Sequence, residues 1–145
     1  MHIVTGSDHA GFELKQALKG FLESQGHTVE DKGTLVKERC DYPDYAAAVA
    51  GAVATGEAEW GLLICGSGIG MSMSANKVAG IRAAVVSDAF SARATRQHNN
   101  ANILCLGERV VGVGLAQEIL SAWLSAEYEG GRHQTRIDKM MALEG

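Results

Sequence analysis

Leu62-Leu63-Ile64-Cys65-Gly66-Ser67-Gly68-Ile69-Gly70 is the stretch on which the reading of this chain turns. An unbroken apolar run ends in a cysteine and opens directly into alternating glycines. Apolar residues without polar alternation read as a strand covered on both faces, the kind found inside parallel sheets. Glycine admits backbone conformations that let successive N–H groups turn toward one point, where an anion can sit. A helix is expected just beyond, near Met71, with the positive end of its dipole facing the same place. The stretch therefore sets a potential thiolate at the carboxyl end of a strand, beside a cradle for negative charge.

The flanking sequence repeats this strand-then-helix rhythm. Ile3 and Val4 read as a first strand that turns at Gly6-Ser7-Asp8. Leu14, Ala17, Leu18, Phe21 and Leu22 share one helical face, and Gly26 is a C-terminal stop. Thr28-Val29 reads as a second strand. Tyr42-Pro43-Asp44 breaks the chain, after which Ala46, Val49, Ala50 and Val53 resume the helical stripe. A fourth strand is expected over 81–86 with a helix over 88–97, and a fifth strand over 103–106 with a helix over 113–124. Gly130-Gly131 then sets off a polar-rich C-terminal helix over 132–141. Strands that each precede a helix imply right-handed crossovers and a five-stranded parallel sheet. The fold class is thus α/β, a three-layer α/β/α sandwich with an added C-terminal helix, in one domain over 1–145. Ligands of such sheets bind at the carboxyl ends of the strands, near the point where the winding reverses. Asp8-His9, the Cys65 loop and Ser87-Asp88 all fall at those ends.

The bulk numbers exclude several classes. At 145 residues, with 46% apolar and 21% charged side chains, the chain has the composition of a soluble globular protein. A domain of that size buries roughly 70% of its unfolded surface. The formal net charge of −4 supplies no long-range attraction for nucleic acid or acidic membranes. An anionic substrate would need a local arginine cluster. The 3 cysteines, Cys40, Cys65 and Cys105, show no C-x-x-C spacing, so neither a disulfide framework nor a zinc site is indicated. Reduced thiols and a cytoplasmic setting are expected. The first residues lack the basic head and apolar stretch of a signal peptide, and the small-apolar run 46–54 is too short to span a bilayer.

Each candidate residue has a plainer alternative. A cysteine beside an apolar strand is usually packed into a core. The position of Cys65 after a strand and before a helix start instead favours thiolate. Cys105, inside an apolar run without a glycine loop, is expected to be inert, and Cys40 lies in a polar loop without an apparent base. The loop of Gly66, Ser67, Gly68, Ile69 and Gly70 differs from a dinucleotide fingerprint, which follows the first strand as G-x-G-x-x-G, although Asp88 lies near the required acidic spacing. A cysteine-dependent phosphatase would place arginine where Met71 stands. A tight turn remains the structural alternative, and a small oxyanion such as an enediolate is the ligand the loop suits best. His98, at a helix C-terminus, is favoured there in its charged form, which also makes it a proton donor near neutral pH. Asp8 reads equally as a helix cap. Arg132 and Arg136 share a helical face and suit a phosphate dianion, or else form a solvated basic edge; Arg109 can join them from a loop.

The motifs Gly6-Ser7-Asp8-His9-Ala10-Gly11-Phe12, Asp41-Tyr42-Pro43, Cys65-Gly66-Ser67-Gly68-Ile69-Gly70, Ala75-Asn76-Lys77, Gly80-Ile81-Arg82, Arg96-Gln97-His98-Asn99 and Glu129-Gly130-Gly131-Arg132-His133 occur in the order found in one family. Together they resemble type B ribose-5-phosphate isomerases, a family that includes allose- and galactose-6-phosphate isomerases. The resemblance implies a Rossmann-like sheet, a cofactor-free aldose–ketose isomerase, and a homodimer or tetramer whose active sites draw on both chains; separately, the sequence shows no cluster with metal-ligand spacing, so no metal is expected. By the same resemblance Cys65 is the base that moves a proton between C1 and C2. The absence of a carboxylate over 67–75 places the chain in the cysteine branch. Ser67 stands where many members have threonine, with its hydroxyl assisting. The resemblance makes His98 the ring-opening residue, sets Asp8 and His9 near the ring oxygens and phosphate, and makes 66–70 the anion loop. It makes Asn99 a sugar contact and Arg109, Arg132 and Arg136 the phosphate-binding set.

The chemistry fits these roles. Ring opening, removal of the activated C2 proton and its delivery to C1 need general acid–base groups, each worth roughly 10²–10⁴-fold. Oxyanion donors add roughly 10²–10³-fold. Phosphate held at a distance from the reacting carbons fixes orientation. The substrate expected is ribose 5-phosphate. The alternatives are a hexose 6-phosphate of the allose or galactose type and, from another class, a nucleotide-binding regulatory module.

Overall fold

The computed structural model describes residues 1–144. The strands are β1 (His2–Ser7), β2 (Thr28–Asp31), β3 (Trp60–Cys65), β4 (Ala83–Val85) and β5 (Ile103–Gly107). The helices are α1 (Phe12–Ser24), α2 (Tyr42–Ala54), α3 (Ile69–Ala75), α4 (Ala89–Asn99), α5 (Val113–Ser125) and α6 (Arg132–Met141). Every strand pairing is parallel, in the order β2-β1-β3-β5-β4.

The two faces of β3 explain the layers. Alternate side chains of a strand point to opposite sides. Leu62 and Ile64 pack with Leu14 and Leu18 of α1, Ala92 of α4 and Ile119 and Trp123 of α5. Leu63 and Cys65 face the other way, into Val49 and Val53 of α2 and Met71 and Ala75 of α3. Both faces are therefore apolar, which is why the β3 sequence shows no polar alternation. This is the three-layer, Rossmann-like α/β/α arrangement expected from the sequence.

Several boundaries differ from the sequence reading, each for a local reason. Tyr42-Pro43-Asp44 opens α2 rather than breaking the chain, because proline has its fixed φ and missing N–H at a position where the first helical turn needs neither changed. β4 is shorter than 81–86, since Asn102 Oδ1 takes the Arg82 N–H at 2.8 Å and Ile81 N–H turns back to Val78 O. α3 begins at Ile69, with Gly68 in the left-handed conformation ahead of it. α4 runs through His98 to Asn99, and Asn100, also left-handed, ends it. The strand order was not legible in sequence. β5 lies between β3 and β4 and is buried throughout, whereas β4 forms the edge, with Val85 exposed.

A buried ion pair joins α1 to β2. Lys15 Nζ donates to Asp31 at 2.7 and 2.8 Å and to the Thr34 carbonyl, and its side chain is 0% exposed. Thr34 N–H in turn donates to Ser7 O at 2.7 Å, tying this pair to the end of β1.

Candidate active site

The winding reverses between β1 and β3, and the residues that follow these two strands border one open cleft of about 640 Å³. It is lined by Asp8, His9, Tyr42, Cys65, Ser67 and Arg109, among others. Asp8 does what an aspartate before a helical turn usually does. Its Oδ1 accepts the N–H groups of Ala10 and Gly11 at 3.0 and 3.1 Å, and the residue still borders the cleft. His9 Nδ1 accepts the Cys40 backbone N–H at 3.2 Å, so its proton is carried on Nε2 when the ring is neutral. The Cys40 thiol lies 4.0 Å from the same nitrogen, which gives this cysteine the basic neighbour that its sequence context did not reveal.

Cys65 is 5% exposed and reaches the cleft from the last residue of β3. Its Sγ accepts the Gly68 backbone N–H at 3.1 Å. That contact depends on Gly68 adopting φ +79°, with the Leu106 backbone so close that a Cβ would stand 2.8 Å from it. Ser67 Oγ accepts the Ile69 N–H at 3.2 Å, closing the turn. The segment after β5 clamps the loop from the other side. Glu108 N–H donates to Cys65 O at 2.9 Å and Arg109 N–H to Gly66 O at 3.0 Å. Glu108 Oε1 also accepts the Leu14 N–H at 2.7 Å, so α1 and the loop share one anchor. The Arg109 guanidinium lies over Gly66, on the cleft side of the loop. By contrast, burial and the nearby Cys65 sulfur push the Cys105 thiol far up, in keeping with an inert residue.

His98 and Asn99 border a different hollow, of about 250 Å³, with His133 and Arg136 of α6. The end of α4 that carries them is held by Arg96, whose guanidinium donates to Ala101 O and Asn100 Oδ1 and stacks 4.5 Å above Trp60. Burial lowers the Arg96 pKa, with Arg82 adding to the effect. Arg132 is exposed at the first residue of α6. Within one chain the structure thus gathers Asp8, His9, the 66–70 loop and Arg109 in one cleft, and His98, Asn99 and Arg136 in another. His98, Glu129 and His133 place a ligand atom each within 4.8 Å of one another, the set among the described residues that could hold a metal ion. The two imidazoles stack with 14° between their planes, however, so their lone pairs run side by side rather than converging as a coordination shell requires. Asp88, the acidic residue of the nucleotide reading, spends both oxygens on Ser91, accepting from its N–H at 2.7 Å and its hydroxyl at 2.9 Å.

Residues 3–140 match the family described as Ribose/Galactose Isomerase. The chain belongs to that family. It is 54% identical over 142 residues to ribose-5-phosphate isomerase B of Escherichia coli (strain K12), covering 98% of this chain and 95% of the relative. Its fold is similar to that of Clostridium thermocellum ribose-5-phosphate isomerase B, with TM-score 0.98 and 52% identity over 99% of this chain and 97% of the other. It is also similar to ribose-5-phosphate isomerase B of Mycoplasma genitalium, a structure with bound ribulose-5-phosphate, with TM-score 0.95 and 42% identity over 99% and 95% of the two chains.

Within this Ribose/Galactose Isomerase family member, sequence reasoning passed over Tyr42 and His133, which the fold brings to the two hollows, and Glu129, which lies against His98 and His133. Tyr42 lies against the glycine loop, so close that a Cβ on Gly70 would stand 2.5 Å from its ring. It occurs in the Asp41-Tyr42-Pro43 motif, but its reach depends on α2 starting at that point. Glu129 and His133 flank Gly130-Gly131 and gain meaning only once α6 packs on α4. No helix among the described residues is long and apolar enough to cross a membrane.

Proposed function

We propose that this chain is a sugar-phosphate isomerase that interconverts ribose 5-phosphate and ribulose 5-phosphate through an enediolate. The observation that supports this most is the setting of Cys65. Its sulfur ends β3 in an open cleft, holds a backbone N–H, and lies beside the loop that Arg109 covers.

In this reading His98 opens the furanose ring, exposing the aldehyde at C1 and acidifying the C2 proton. The Cys65 thiolate takes that proton. Negative charge passes to the oxygen on C1, where loop N–H groups of 66–70 stabilise it as an oxyanion. The thiol returns its proton to C1, and the hydroxyl proton on O2 passes to O1 with the Ser67 hydroxyl as carrier. The result is the ketose, with every proton accounted for and no cofactor or metal required. Asp8 and His9 hold sugar hydroxyls and the ring oxygen. Arg109, Arg132 and Arg136 bind the phosphate, which the net charge of −4 would otherwise repel.

His98, Asn99 and Arg136 lie in a hollow separate from the Cys65 cleft, so we assign the working unit to a homodimer, alone or paired into a tetramer. One protomer's α4 and α6 then complete the other's cleft. A single domain over 1–145 and a cytoplasmic location complete the proposal. The family description, which names galactose as well as ribose, keeps a hexose 6-phosphate substrate as the second reading.

Initial rates with ribose 5-phosphate, allose 6-phosphate and galactose 6-phosphate test the choice. One extra carbon in a fitted site changes kcat/KM by roughly 10–200-fold. The pentose is expected to lead by that margin, and a lead by either hexose would replace it as the substrate.

A further inference from the structure

His98 is half-exposed, yet its ring is held from two directions by residues to which no role has been given. His133, buried at the second residue of α6, stacks on its face with ring centroids 4.5 Å apart. Glu129 meets its edge, with Oε1 3.8 Å from His98 Nε2 and 3.3 Å from His133 Nε2. Both of these neighbours are fixed by main chain. Glu129 N–H donates to Gln97 O at 3.0 Å, one residue before His98, and His133 N–H donates to Gly130 O at 3.1 Å. A solvated carboxylate on a free loop would have no reason to be tied to the last turn of α4 in this way.

We propose that Glu129 and His133 are positioning residues for His98: the stacked ring sets the plane of its imidazole, and the carboxylate faces Nε2 at 3.8 Å as a charge contact, leaving Nδ1 for the substrate. The inference rests on the ring-opening reading of His98. A ring-opening group must carry a proton to or from the ring oxygen along a defined line, and a half-exposed imidazole left to rotate would lose that alignment. A carboxylate beside one ring nitrogen is the usual means of fixing both tautomer and orientation.

Two substrates separate ring opening from proton transfer. Ribose 5-phosphate closes its furanose through O4. D-erythrose 4-phosphate carries its phosphate on O4 and cannot close that ring, so it needs base chemistry alone. Glu129→Gln is expected to lower kcat/KM for ribose 5-phosphate roughly tenfold, a loss in the range of coupled side-chain pairs. Turnover of D-erythrose 4-phosphate is expected to stay within about twofold, the spread of uncoupled changes. Glu129→Asp should recover part of the loss, and His133→Gln should show the same split as Glu129→Gln.

The decisive comparison is the double-mutant cycle with His98→Ala. If Glu129 acts through His98, adding Glu129→Gln to His98→Ala costs nothing further. Multiplying losses, or equal losses of E129Q on both sugars, would overturn the positioning role. His98→Ala by itself reports on the underlying reading: equal loss on both sugars would overturn ring opening by His98, whatever the cycle gives.

Discussion

Gly68 donates its backbone N–H to the Sγ of Cys65 at 3.1 Å, from a φ of +79° that side chains other than hydrogen rarely adopt. This one contact joins the conformation of the glycine loop to the state of the sulfur. A hydrogen bond donated to the sulfur fixes where it sits in the cleft, so the loop and the sulfur move together.

Gly68→Ala follows from that relation. The new Cβ would meet the Leu106 backbone at 2.8 Å in a left-handed conformation, so the loop must move and the N–H leaves the sulfur. Strain of this kind costs about 1–3 kcal/mol. The expected result is a lower urea midpoint together with a larger fall in kcat than in substrate affinity. Unchanged kcat would detach the loop conformation from the chemistry.

Arg109 offers a separable effect on binding. Its guanidinium covers Gly66 at the cleft, and its backbone N–H donates to Gly66 O. Arg109→Ala should raise KM for the phosphorylated sugar, with a loss of roughly 10–100-fold in kcat/KM, the worth of a hydrogen bond to a charged group. Arg109→Lys should keep part of it, as a point charge replaces a fork. Inhibition by inorganic phosphate should weaken in parallel.

The buried Lys15–Asp31 pair predicts a stability effect far larger than a surface ion pair gives. Lys15→Met leaves the Asp31 carboxylate, 7% exposed, without its counter-charge. Breaking such a pair from one side costs about 3–5 kcal/mol. Denaturant titration should show this loss, and Lys15→Met combined with Asp31→Asn should be less costly than the sum of the two single changes.

The helical cap at Asp88 predicts a dependence on pH. Its hydrogen bonds from Ser91 hold the carboxyl below its ordinary value of 3.8. A lowered folded pKa means the stabilisation is fully present above the unfolded value and is lost as pH falls through the lower folded one. Asp88→Ala should therefore melt below the parent protein at neutral pH, and the gap should narrow below about pH 4, where the unfolded aspartate takes up its proton. A gap that persists unchanged at acid pH would assign the effect to something other than this carboxylate.

How much of this was legible before the fold is clear from particular residues. Leu62, Leu63 and Ile64 carry the signature of a strand buried on both faces, and the α6 bounds could be read directly because Gly130-Gly131 precede a polar helix of clear period. The position of β5 could not be read, since an edge strand and a central one differ by packing that no local pattern records. His9 beside Cys40, and Glu129 beside His98, join residues 31 positions apart in each case. Such pairs arise from how loops return over the sheet, which spacing along the chain does not encode. Tyr42 was hidden for a different reason: its motif was visible, but a proline that begins a helix looks in sequence like one that breaks it.

The central claim is that the Cys65 sulfur carries the proton between C2 and C1. Proton NMR of ribose 5-phosphate in deuterated water with the enzyme, and with its Cys65→Ala variant, tests it most directly. The parent protein should place deuterium at C2 of the aldose or C1 of the ketose, while Cys65→Ala should do so roughly 10²–10⁴-fold more slowly and keep its thermal melt. Deuterium entering at the parent rate without the sulfur would contradict the claim.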